Sequence, residues 1–107
     1  MKMITAIINK EETRGVCAAL VRAGFSVTRM STTGGFLMAG NTTLLMGVED
    51  SRVDECLEVL RACCHQRTEV VPDVTGYDER GASVEPVAIT VGGAIVFVTD
   101  VERFEKL

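Results

Sequence analysis

The sequence has 107 residues, 47% of them hydrophobic, with 15 acidic side chains against 11 basic ones and a formal net charge of -4. That length suits one domain spanning 1–107, and no apolar run reaches the about 18 residues of a membrane helix, so a chain that enters no membrane is expected. The acidic balance excludes a surface that tracks a polyanion by releasing counterions, and nucleic acid is not an expected partner.

The first ten residues, MKMITAIINK, carry a short apolar run, but Asn9 to Glu12 follow where an export signal places its small cleavage-site residues. A cytoplasmic location is the expectation. MITAIIN reads as a buried strand. A helix follows, with Asn9 as its cap and Glu12 reaching back in the manner of a capping box. Val16, Cys17, Leu20 and Ala23 recur at helical spacing; Gly24 supplies the left-handed stop, and Phe25 folds back onto the last turn. FSVTRMST alternates as a second strand, and TLLMGV from Thr43 to Val48 forms a third.

Glu49, Asp50 and Ser51 offer the start of a second helix, with Val53, Cys56, Leu57, Leu60, Cys63 and Cys64 inward and Asp54, Glu55 and Glu58 outward. TEVVPD is a short strand ended by Pro72, and residues 73 to 85 are polar and unpatterned, a long loop. VAITV, Gly92-Gly93 and AIVFV close the inventory; the glycine pair makes either a tight hairpin or a bulge in one long bent strand. Strand, helix, strand, strand, helix, strand with an added late hairpin describes an α+β, ferredoxin-like (split βαβ) sheet with both helices on one face. Its other face carries apolar residues too, so an oligomer is expected, and a trimer is one closed solution.

Catalytic constellations are missing: the one histidine lies beside helical cysteines, and no carboxylate pair flanks a glycine-lined cleft. The chain does not read as an enzyme. The four cysteines sit in helical patterns and read as reduced core residues, and consecutive Cys63, Cys64 and His65 cannot all turn toward one tetrahedral metal. The stretch TTGGFLMAGNTT, residues 32 to 43, is richer than a turn requires. Amides around Gly34 and Gly35 suit an anion nest, Phe36 suits stacking on a base, and Asn41 pairs a donor with an acceptor as an adenine edge demands. The plainer reading is that the glycines only turn the chain, the threonines fill strand positions and Phe36 packs on a neighbour.

TTGGFL followed by GNTT, then MGVED-x-RV, then VGGAIVFV, resembles the PII-like cyclic di-AMP receptor family across nearly the whole chain. The resemblance implies a cytoplasmic, non-enzymatic homotrimer that needs no cofactor, binds cyclic di-AMP at subunit boundaries and signals through loops to an unidentified downstream protein. It implies ligand contacts from the Val27 backbone, Thr28, the closing loop Gly35, Phe36 and Leu37, the adenine reader Asn41, Gly47 at a base, and Phe97 near the second adenine. The family usually has arginine where this chain has Ser26, which raises an alternative preference for AMP, ADP or ATP. Arg29 lies nearby but alternates to the other side of a strand. A third reading, a metal-tolerance type trimer using Cys63, Cys64 and His65, comes from another class.

Overall fold

The structure is a computed structural model and describes residues 1–32, 40–72 and 86–107. Strand β1 (Lys2–Asn9) leads through a 3-10 turn at Lys10–Glu12 into helix α1 (Thr13–Arg22), then β2 (Thr28–Thr32) and β3 (Asn41–Val48). A second 3-10 turn, Asp50–Arg52, opens α2 (Val53–Cys64), followed by β4 (Gln66–Pro72), β5 (Pro86–Gly92) and β6 (Ala94–Asp100).

Four strands form one antiparallel sheet in the order β2-β3-β1-β6, while β4 and β5 pair with each other in a second, two-stranded sheet. This antiparallel sheet with two helices is compatible with a ferredoxin-like fold. The strand after α2 does not take the fourth place in the main sheet; β6 does. The sequences explain the exchange, because Gln66, Arg67, Thr68 and Val70 are exposed on β4 while Ala94 and Val96 of β6 pack against the core. Between β5 and β6 the glycine pair is a bend and not a hairpin, since the two strands lie in different sheets. Gly92 and Gly93 have φ of 76° and 83°, the left-handed region that favours glycine. The radius of gyration, 17.9 Å, exceeds the about 13 Å of a compact chain of this size, as a projecting β4–β5 arm requires.

Period-two alternation decides what each strand buries. Ile4, Ala6 and Ile8 of β1 and Leu44 and Met46 of β3 are sealed beneath Val16 and Leu20 of α1 and Cys56, Leu60 and Cys64 of α2. Both helices therefore cover one face. Cys56 and Cys64 behave as core residues, and burial, with the Glu12 charge as a smaller contribution, pushes the Cys64 thiol up to about 12. His65 is exposed with extended backbone just past the helix end, so Cys64 and His65 point to different surroundings.

The expected stop of α1 is present: Gly24 has φ of 94°, and the Phe25 amide donates to the Leu20 carbonyl at 3.0 Å. Phe25 is buried there, so the second strand starts only at Thr28, later than the alternation suggests. Arg52 seals this corner. Its guanidinium lies 4.2 Å from the Phe25 ring centroid, donates to the Ala23 carbonyl at 2.7 Å and pairs with Glu55. The expected capping box is not made: Asn9 forms no side-chain cap, and Glu12 instead meets Arg67 of β4 at 3.3 Å. A long-range cation outcompetes the local amide for that carboxylate.

Candidate functional site: the open face of the sheet

The face of the sheet opposite the helices is built by the alternate register. It takes Met3, Thr5, Ile7 and Asn9 from β1, Asn41, Thr43, Leu45 and Gly47 from β3, Thr28 and Met30 from β2, and Ile95, Phe97 and Thr99 from β6. None of these positions carries a charge, in a chain with 24% charged residues. Met30 and Phe97 are 43% and 46% exposed, far above the residues beneath the helices.

Thr28, Asn41, Gly47 and Phe97 all fall on this face. Thr28 opposes Leu45, Leu45 opposes Thr5, and Thr5 opposes Phe97, so Thr28 and Phe97 end one transverse row across four strands. At strand spacings of about 4.8 Å they stand about 14 Å apart. Asn41 lies four residues along β3 from that row, about 13 Å away, and Gly47 lies two residues the other way. The residues thus share a face without converging on one point of it. Val27 packs its side chain against the core, leaving its backbone for any outside contact. Gly35, Phe36 and Leu37 lie outside the described residues, as do Gly34 and the 73–85 loop. Ser26 is exposed.

Asn41 is the least ordinary of the set. It is only 5% exposed, yet its Oδ1 has no hydrogen-bond partner among the described residues. A buried acceptor left unmade costs about 1–3 kcal/mol, which a ligand donor such as an adenine amino group would recover. The Lys10 amide donates to the Gly40 carbonyl at 2.9 Å, fixing the chain immediately before Asn41. Among the described residues an added Cβ at Gly47 would meet only Met1 Sδ at 3.7 Å, an ordinary contact, so none of them demands glycine there. Sequence reasoning missed Asn9, which stands directly opposite Asn41, together with Met30 and Leu45 on the same face. Strand register carries that signal, and alternation within a single strand does not.

The profile of a family described as cyclic-di-AMP receptor matches residues 1–107. The chain belongs to the cyclic-di-AMP receptor family. A solved structure of a functionally unknown protein from Pediococcus pentosaceus ATCC 25745 is 33% identical, with a TM-score of 0.77 over 99% of this chain and 96% of that one. Among the described residues of this family member, no helix is long and apolar enough to cross a membrane.

Proposed function

We propose that this protein is a cytoplasmic, non-catalytic signal-transduction receptor that binds cyclic di-AMP where the subunits of a homotrimer meet. Binding rearranges loops and so changes the surface offered to a downstream protein. The observation that carries this reading, within the family, is the unsatisfied Asn41 acceptor on an uncharged sheet face. An adenine supplies the donor Asn41 Oδ1 needs. The residues named on the open face are too far apart to surround one base from a single protomer, which supports a pocket completed by a neighbour. In this reading Asn41 selects one adenine, Thr28 holds phosphate together with the glycine-rich loop, and Phe36 and Phe97 stack.

A thermal-shift series with cyclic di-AMP, cyclic di-GMP, AMP, ADP and ATP tests it. Stabilisation by cyclic di-AMP is expected, growing with ligand concentration as the native state alone is bound. Asn41→Ala should weaken binding about tenfold or more. A parent-like shift in that variant would remove Asn41 from the site. Ser26, exposed where the family arginine would shield an adenine, favours a second reading in which a mononucleotide is preferred; a larger shift with AMP, ADP or ATP decides for it.

A further inference from the structure

Behind the open face, on the helix side of β2 and β3, lies a cavity of about 470 Å³ lined by Lys10, Arg14, Arg29, Thr13, Ser31 and Thr42, with Glu11 as the one acidic wall residue among the described residues and Met30 beside them. We propose that this cavity is a second anion site, one that takes a small phosphorylated molecule.

Three observations carry it. First, Arg52, Arg61, Arg67 and Arg103 are each paired with a carboxylate, whereas Lys10, Arg14 and Arg29 make no ion pair among the described residues. In a chain with more acidic than basic side chains, three unpaired cations on one concavity concentrate positive potential where an anion can enter. Second, hydroxyls supply the hydrogen bonds that a phosphate ester needs. Thr13 and Thr42 are both about nine-tenths or more buried; the Thr13 hydroxyl donates to Thr42 Oγ1 at 2.8 Å, which leaves the Thr42 proton to donate to a ligand, and Ser31 follows Arg29 on the same face of β2. Third, the volume falls within the about 300–1,000 Å³ of small-molecule sites. The site is separate from the candidate nucleotide residues, because β2 and β3 send Arg29 and Thr42 to one face and Thr28 and Asn41 to the other.

Calorimetric titration of the full chain with inorganic pyrophosphate and with ATP, each in 0.1 M and in 0.5 M salt, which shortens the screening length roughly twofold, reads the site directly. The parent should bind pyrophosphate with an affinity that falls in salt. Arg14→Gln combined with Arg29→Gln should weaken it about tenfold or more while the cyclic di-AMP thermal shift stays within about twofold of the parent. If the pair melts early, Arg14→Gln alone, on an exposed helix surface, should still cost about threefold. Tighter binding of ATP than of pyrophosphate identifies a nucleotide; equal binding identifies the phosphates as the recognised part. A parent that binds neither probe, or a double variant that binds pyrophosphate as the parent does, overturns the proposal. Loss of both pyrophosphate and cyclic di-AMP in a variant of unchanged melting temperature would merge the two sites and overturns it as well. Failure of cyclic di-AMP alone bears only on the nucleotide reading.

Discussion

The same strands present two unlike surfaces. Toward the helices, Ile4, Ala6, Ile8 and Leu44 are completely buried; one residue along, Thr5, Ile7 and Leu45 remain partly exposed, and Phe97 and Met30 more so. The first face is finished within one protomer and the second is not. Of the five described residues named for the nucleotide site, Thr28, Asn41, Gly47 and Phe97 fall on the unfinished face, while Val27 turns its side chain into the core. The side of the sheet, more than the degree of burial, therefore separates positions that hold the fold from positions available to a ligand or a second copy, since Asn41 and Thr43 are buried on the open side as well.

The sharpest way to break this contrast is a matched pair of carboxylates. Leu44→Asp places an unpaired charge in the sealed core and should abolish folding, seen as loss of the helical and strand circular dichroism; even Leu44→Ala should cost about 2–5 kcal/mol in denaturant unfolding. Phe97→Asp should keep the secondary structure and shift sedimentation toward the monomer. If both variants unfold alike, the division between the faces fails. Next in size, Gly47→Val should fold as well as the parent, given the open space above it, yet bind cyclic di-AMP about tenfold or more weaker, because its branched side chain fills the approach that Gly47 leaves clear.

Smaller effects belong to the corner where the helices meet. Arg52→Met should lower the midpoint of chemical denaturation modestly, through the lost carbonyl bond and ring contact. It should also change the acid limb. The hydrogen bond from Arg52 holds the Glu55 carboxyl below its usual 4.5, so the stability this pair adds is present above that value and is lost as pH falls through the lowered one. Melting temperatures recorded between pH 6 and pH 3 should therefore fall less steeply in the variant than in the parent, by a small margin because the pair is exposed.

Much of this was legible in the sequence because local chemistry dominated there. The Gly24 stop and the Phe25 fold-back follow from one backbone angle and one apolar side chain, and the α2 face follows from a spacing that the helix obeys. The failures were long-range choices. Glu12 had two partners available, a nearby amide and Arg67, and only the fold brings the second within 3.3 Å. Which strand completes the sheet was settled by comparing the polar start of β4 with AIVFV of β6, a competition between segments well separated along the chain. The family motifs placed Thr28, Asn41, Gly47 and Phe97 on strands that share a face, but their distances across it needed the register. Gly35, Phe36 and Leu37 fall outside the described residues.

The two glycines between β5 and β6 set where the chain can leave one sheet for the other. A methyl group on Gly92 would come within 2.8 Å of the His65 carbonyl, and one on Gly93 within 2.8 Å of Gln66 Cγ, so neither position accepts any other residue without a shift. The chain thus passes from the β4–β5 pair to the edge strand of the main sheet through a junction that glycine fits and a larger residue does not, and Phe97 lies four residues beyond it, so a substitution at either glycine would disturb the placement of that ring.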